Sequence, residues 1–403
     1  MTEPVAVADH LERILAALTP LSTHKLKLLD ALDLTAAEDV VAPVGLPGFD
    51  NSAMDGYAVR FRDVADARAD RPIHLPVVAE FGAGPTAEHV LEPGTAVKIM
   101  TGAPVPIGCD AVVPYEWTDR GSVEVLIAQP PTLGQNIRRA GEDVEQGEVV
   151  VSAGTVLGPR QVGLLAAVGR SEVLTRPRPR VVVVSTGSEL RDPGGQLEPG
   201  TIFDANSFLL AAAVRAAGGI AYRVPAVSDD PRSFAAALED ELTRADLVIT
   251  SGGISEGDFD VVKEALSGDL WFGKLAMQPG KPQGFGLFGA ARTPVITLPG
   301  NPVSAYVSFR VFVVPAIRKL LGRSPIEQPL RTAALSHGLS SSAGRQQYVR
   351  AFCESSVATP VGGSGSHLLG DLATANALIV VPPETTSLVA GDPVSVLMLD
   401  EEY

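Results

Sequence analysis

At 403 residues the chain is long enough for two to four domains of ordinary size, with cores that need no disulfide or structural metal to fold. Hydrophobic residues make up 45% and charged residues 20%, which is globular, and 47 Asp and Glu against 32 Lys and Arg leave a formal charge of −15. A surface that negative repels polyphosphate backbones and anionic membranes, so general binding to nucleic acid or membrane is disfavoured, whereas an anionic small substrate needs locally clustered cations.

The first residues, MTEPVAVADHLERILAAL, carry Glu3, Asp9 and Glu12 where a secretory signal is basic and then apolar. No run reaches the roughly 18 uninterrupted apolar residues of a membrane helix. Cys109 and Cys353 form neither a CxxC pair nor a disulfide framework. A soluble cytoplasmic protein is expected.

In chain order, helical spacing over 5–18 predicts a first helix that stops at Thr19-Pro20, and a second helix is predicted over 25–40. From 43 to about 175, short β-branched runs alternate with Gly, Pro and Asp turns and read as β-rich structure. The prolines of TRPRPR (175–180) mark a boundary. Beyond it, VVVVS (181–185), DLVIT (246–250) and PVITL (294–298) are solid apolar runs of the kind buried on both faces of a parallel sheet. Helical stretches at 207–217, 233–244, 258–266 and 303–321 complete a doubly wound α/β domain. GRSPIEQPL (322–330) is a linker, and 331–403 returns to short strands and glycine turns, a small β-barrel or sandwich.

Each strong strand of the α/β domain runs into a small-residue loop: Ser185, Thr186 and Gly187 before Glu189; Ser251, Gly252, Gly253 and Ser255; and Pro299, Gly300 and Asn301. Ligands of open α/β sheets bind outside the carboxyl ends of the strands, where glycines and helix N-termini admit an anion. One such loop alone is a turn; three on one edge point to a pocket for phosphate or an oxyanion. Lys281, on the Pro-Gly turn of KLAMQPGKPQGFG, is either a point charge for an anion or a solvated surface lysine. GFGLFG (284–289) lies within a strand-like run and opens no helix, so it is no dinucleotide fingerprint.

In the N-terminal half, Asp55 sits in FDNSAMDGYAVR, either an aimed carboxylate or a plain Asp-Gly turn. Arg138 and Arg139, beside Glu142 and Asp143, form either a phosphate clamp with a cation site or a surface ion-pair cluster. Mg²⁺ prefers one or two carboxylates plus substrate oxygens, which makes Asp55, Asp143, Glu189, Asp229, Asp230 and Asp260 candidates. The chain lacks HExxH, GxxxxGK[ST] and a strand-GxSxG-helix elbow, and lone histidines such as His367 read as structural or surface groups.

Taken in order, FDNSAMDGYAVR, IMTGAPVPIGCDAVV, RRAGEDV, STGSEL, TSGGISEGDFD, MQPGKPQGFG and LPGNPVS, with GSHLLGDLATANALIVVP at 365–382, resemble the MoeA family of molybdopterin molybdenumtransferases. The eukaryotic counterpart of that family is the terminal domain of gephyrin. The resemblance runs from about residue 8 to the end. It implies the last step of molybdenum cofactor synthesis: adenylylated molybdopterin and molybdate react, molybdenum enters the dithiolene, and AMP leaves, with Mg²⁺ as the usual ion. It further implies a homodimer of elongated, four-region protomers whose cleft joins the α/β domain of one subunit to the β-rich domain of the other. The regions would be 1–42 with 145–178 for dimerisation, 43–144 β-rich, 179–326 α/β and 327–403 a C-terminal β-barrel.

The same resemblance implies a catalytic set of Asp55, Thr101, Asp143, Glu189, Asp229, Asp260 and Lys281. Within that set, Asp55, Glu189, Asp229 and Asp260 would hold the metal. Thr101 and Ser251 match hydroxyl positions of the family's cleft, Lys281 with Arg350 and Ser366 matches the molybdate region, and Arg139 joins the substrate contacts. Two positions depart from the common pattern: Ser188 stands where many members have aspartate, and Gln278 where many have lysine. Two other readings stay open, an adenylyltransferase of the preceding step, which lacks the N-terminal half and the terminal barrel, and a gephyrin-like scaffold. The upstream adenylyltransferase is also a possible partner.

Overall fold

The computed structural model describes residues 3–85, 88–227, 230–254 and 260–401. The chain forms two compact units, a smaller one of residues 25–153 and 157–173, and a larger one of 1–24, 154–156 and 174–403.

The smaller unit is built on a five-stranded sheet of β1 (Gly56–Val59), β2 (Ile73–Phe81), β3 (Ala96–Ile99), β4 (Ala111–Pro114) and β5 (Glu124–Ile127). Their order in space is β4-β1-β3-β2-β5. Alternation assigns the faces: Tyr57 and Val59 enter one apolar cluster and Ala58 the other, so β1 is buried on both sides. Gly56 is required there, because a Cβ would stand 2.0 Å from the Val113 carbonyl oxygen. A helix over Pro159–Ala167 and the paired strands Val40–Val41 and Val149–Val151 close a separate small core.

The helix expected over 25–40 is not formed. His24–Lys27 is a strand, and a turn at Asp33, with φ of 63°, leads to a second short strand at Thr35–Ala36. The leucines of this stretch do not share one buried face: Leu29 is 82% exposed, while Lys25 and Lys27 alternate with Leu26 and both pair with Glu172. The period of two wins over the period of 3.6.

The larger unit carries the expected α/β domain. β6 (Arg180–Thr186), β7 (Ile220–Val227), β8 (Leu247–Ser251), β9 (Leu270–Lys274), β10 (Pro282–Phe288) and β11 (Thr293–Leu298) form one sheet in the order β7-β6-β8-β11-β10-β9. The first four run parallel, β10 runs against them, and β9, antiparallel to β10, runs with them again. Val181, Val183, Ile249 and Ile296 face one core, with α1 (Val7–Ala16), α2 (Ala205–Ala216), α5 (Pro302–Ser308) and α6 (Val314–Leu321) packed on it. Val182, Val184, Val248 and Val295 face the other, under α3 (Pro231–Leu242) and α4 (Val261–Leu266). Burial on both faces is why these strands read as unbroken apolar runs. The helix expected over 303–321 is continuous but widens to a π turn at Phe309–Val313, just before Pro315, which has no N–H to give the preceding turn.

The C-terminal segment is a closed barrel. β12 (Arg331–Leu335), β13 (Gln346–Glu354), β14 (Val357–Pro360), β15 (Ala377–Val381) and β16 (Pro393–Met398) pair in the order β13-β14-β12-β16-β15, and β15 returns to β13. A two-residue strand, Met277–Gln278, adds to β13 in parallel with Gln278 opposite Gln347. The α/β and β multidomain class is thus borne out.

Candidate functional site

The parallel strands order the residues that follow them. Ser185 pairs in register with Ser251, and Ser251 with Leu298, so the three loops after β6, β8 and β11 open at one level on one sheet edge. They line a cavity of about 740 Å³, within the range of roughly 300–1,000 Å³ of small-molecule sites. Ser185, Thr186, Gly187 and Glu189 come from the first loop, Ser251, Gly252 and Gly253 from the second, and Pro299, Gly300 and Asn301 from the third. Backbone geometry demands the glycines at two points. Gly187 has φ of 151° with the Glu189 carboxylate folded back to 2.6 Å from where a Cβ would sit, and Gly252 has φ of 96° with Thr186 pressed against it.

Two residues that sequence reasoning passed over complete the cavity. Asp204, 1% exposed, caps α2 by accepting from the Ser207 N–H at 3.0 Å, while its Oδ2 is buried without a partner among the described residues. Asn206, in the first turn, donates from Nδ2 to Ser251 Oγ at 2.8 Å and to the Gly300 carbonyl at 2.6 Å, tying the second and third loops to the helix. The signal was present as Asp-Ala-Asn-Ser ahead of an apolar helix, an N-cap pattern. His367, read from sequence as a surface or structural group, also lines the cavity.

Ser185 Oγ and Thr186 Oγ1 are likewise buried without partners among the described residues. Leaving such groups unsatisfied costs about 1–3 kcal/mol each, a cost a polar ligand relieves. Glu189, Asp204 and the hydroxyls make an oxygen-only donor set, which suits a hard cation that shares its shell with substrate oxygens. Among the described residues no group of three or more His, Cys, Asp or Glu is arranged to hold a metal without such help.

A second, smaller cavity of about 150 Å³ lies by the barrel, lined in part by Gln278, Gln347, Tyr348, Arg350 and Ser364. A water occupies about 30 Å³ of liquid, so this space suits a few waters or one small oxyanion. Arg350, 5% exposed, donates to the carbonyls of Gly365, at 3.1 Å, and Gly363, while its Nε has no partner among the described residues. Burial pushes this guanidinium below its usual pKa, and Asp371, 3.8 Å away, opposes the shift. Both cavities touch the first turn of α5, with Pro302 and Ser304 lining the larger and Val303 the smaller. Asn301 also donates to Ser366 Oγ at 2.8 Å. Lys281 follows Gly280, whose φ is 101° and whose carbonyl accepts from the buried Gln283 side chain at 2.8 Å; Lys281 lines neither cavity.

The remaining sequence candidates divide by place. Asp260 opens α4 and is not among the residues lining these cavities, while Asp230 caps α3 through Ser233. Asp229 and Ser255 lie outside the described residues. In the smaller unit, Asp55 Oδ1 accepts from the Thr101 N–H at 2.7 Å and from its hydroxyl at 2.8 Å, and these bonds hold the carboxyl below its ordinary pKa. Arg139 pairs with Asp50 at 2.5 Å, and its N–H donates to Glu142 at 2.8 Å. Asp143 is exposed and anchored through its N–H to the Leu46 carbonyl at 3.0 Å.

Fold and site together define a multidomain protein with a polar, nucleotide-sized cavity on the carboxyl edge of a doubly wound sheet and an oxyanion-sized cavity beside a β-barrel. Family models match in succession: the MoeA N-terminal region (domain I and II) over residues 5–169, a probable molybdopterin binding domain over 182–319, and the MoeA C-terminal region (domain IV) over 332–399. The chain belongs to the MoeA family. The molybdopterin molybdenumtransferase 2 of Mycobacterium tuberculosis is 46% identical over 379 residues, covering 92% of this chain and 93% of its own length. The molybdopterin molybdenumtransferase of Haemophilus influenzae is 36% identical, with 94% of each chain covered. A crystal structure of the molybdopterin biosynthesis MoeA protein from Pyrococcus horikoshii superposes with a TM-score of 0.84 at 30% identity, covering 98% of this chain and 100% of that one. No helix among the described residues is long and apolar enough to cross a membrane.

Proposed function

We propose that this chain is a molybdopterin molybdenumtransferase that joins molybdate to adenylylated molybdopterin and releases AMP. The observation that carries the reading is the pair of cavities on the first turn of α5, one of about 740 Å³ and one of about 150 Å³. The reaction needs two receptors of those sizes, one for a phosphorylated pterin and one for a tetrahedral dianion.

Both reactants are anionic, and two unit charges 4 Å apart interact by about 4 kcal/mol at an effective dielectric of 20. In the larger cavity, glycine N–H groups, the Ser251 hydroxyl and the N-terminal turn of α2 receive phosphate oxygens. Asn206 keeps Ser251 oriented. In the smaller one, the Arg350 guanidinium receives the oxyanion, and the resemblance supports a role for Lys281 in the same reaction. Mg²⁺ would be held by Glu189 with Asp204 and substrate oxygens, and when bound it supplies charge neutralisation at the anhydride. The resemblance supports a role for Asp55 and Thr101 in the same reaction, and a homodimer.

Asp55→Asn and Lys281→Ala are each expected to abolish AMP release from the adenylylated pterin while leaving a folded dimer by light scattering. Turnover like that of the unaltered chain in both variants refutes the site. Chelation of divalent cations is expected to stop AMP release, and added Mg²⁺ to restore it.

A further inference from the structure

We propose that Arg345 is a positioning residue that fixes the side-chain amide of Gln278 with its NH₂ group toward the smaller cavity, turning a neutral side chain into an oxyanion donor. The proposal rests on the reading of that cavity as the molybdate receptor.

Gln278 reaches the cavity because the two-residue strand Met277–Gln278 runs beside β13 and places it opposite Gln347; both line the cavity. Arg345 stands one residue ahead of β13 and does not line the cavity. Its Nη1 donates to Gln278 Oε1 at 3.3 Å. A guanidinium has donors and no acceptor, so the face of the amide that meets Arg345 has to be the carbonyl oxygen. The two N–H bonds of the same amide are thereby kept on its other edge.

The consequence is specific to an anion. With the oxygen turned inward, Gln278 would present a partial negative charge and repel molybdate; with the NH₂ inward it donates. Arg345 also adds a positive charge behind Gln278 without occupying cavity volume. Arg350, whose buried Nε has no partner among the described residues, then meets the same ligand with a charged donor. The receptor combines one guanidinium in contact, one neutral amide in contact and a second guanidinium that acts through the amide.

The test is titration calorimetry of molybdate into the full chain, paired with steady-state kinetics. Losing one hydrogen bond to a charged ligand corresponds to roughly a tenfold weaker association. Arg345→Met is expected to raise the Kd and KM for molybdate about tenfold, to leave kcat and the KM for the adenylylated pterin within about twofold, and to be rescued by Arg345→Lys. Gln278→Glu, which puts a carboxylate in place of the donor, is expected to weaken molybdate further than Arg345→Met does. Should Arg350→Lys weaken molybdate while Arg345→Met and Gln278→Glu do not, the proposal fails and the cavity reading survives. Should none of the four variants alter molybdate binding, the cavity reading fails and the proposal with it. A loss of kcat and pterin affinity in Arg345→Met that Lys does not rescue marks a structural role and overturns the proposal.

Discussion

The carboxylate of Asp55 shows how a single side chain is tuned without burial. Its Oδ1 takes two hydrogen bonds from one residue, Thr101, and the backbone N–H is the larger cause of its lowered pKa, the hydroxyl the second. The group is therefore ionised well below neutrality, and a depressed folded value means that the contact stabilises fully above the carboxyl's ordinary value and loses its effect as pH falls through the folded one. Thr101→Val keeps the N–H and removes the hydroxyl. Its expected result is an Asp55 titration midpoint, followed by carboxyl carbon NMR, that moves part of the way back up toward 3.8; an unmoved midpoint contradicts the assignment. Sequence made Asp55 legible as a carboxylate on an Asp-Gly turn, but not its partner, because 46 positions separate Asp55 from Thr101 and such a pairing leaves no local pattern. The same holds for Arg345 and Gln278, which are 67 positions apart.

At the scale of elements, strand ends and helix starts make the site together. α2 begins at Asp204, and the first turn so fixed delivers Asn206 to two loops. Removing a cap of this kind costs about 1 kcal/mol. Asp204→Ala is expected to lower stability to denaturant by about that amount and to raise the KM for the adenylylated pterin, since Asn206 loses its anchored turn. Unchanged values of both contradict this role. The strands of the α/β domain were legible because burial on both faces writes an unbroken apolar run. The stretch 25–40 was misread because its leucines satisfy a helical spacing on paper while the structure leaves Leu29 in solvent. That the three loops line one pocket was legible from their glycines and hydroxyls. The orphaned oxygens of Ser185, Thr186 and Asp204 emerge only when neighbouring strands are in register.

At the scale of the whole molecule, one apolar core of the larger unit runs from α1 through the sheet to barrel residues Tyr348, Leu378 and Leu397. His10 lies inside it at 0% exposure, 5.2 Å from the Trp271 ring and 4.9 Å from the Phe312 ring. Neither ring nitrogen has a partner among the described residues, and burial, assisted by Arg13, lowers its pKa from 6.5 to about 4. The unfolded chain takes up a proton at a higher pH than the folded one, so stability falls as pH drops from 6.5 and the slope vanishes below about 4. At 1.36 kcal/mol per pKa unit the loss amounts to roughly 3 kcal/mol. His10→Leu is expected to flatten that part of the stability profile in denaturant titrations run across the range; an unchanged slope contradicts it.

The proposed function requires that two mutually repelling anions be received together and exchanged for cofactor and AMP. The most direct measurement supplies the purified chain with adenylylated molybdopterin, molybdate and Mg²⁺, and in parallel with molybdopterin and ATP, and quantifies AMP and pterin-bound molybdenum. AMP and molybdenum insertion are expected in equal amounts in the first mixture, and neither in the second. Formation of adenylylated pterin in the second mixture, with no reaction in the first, would contradict it.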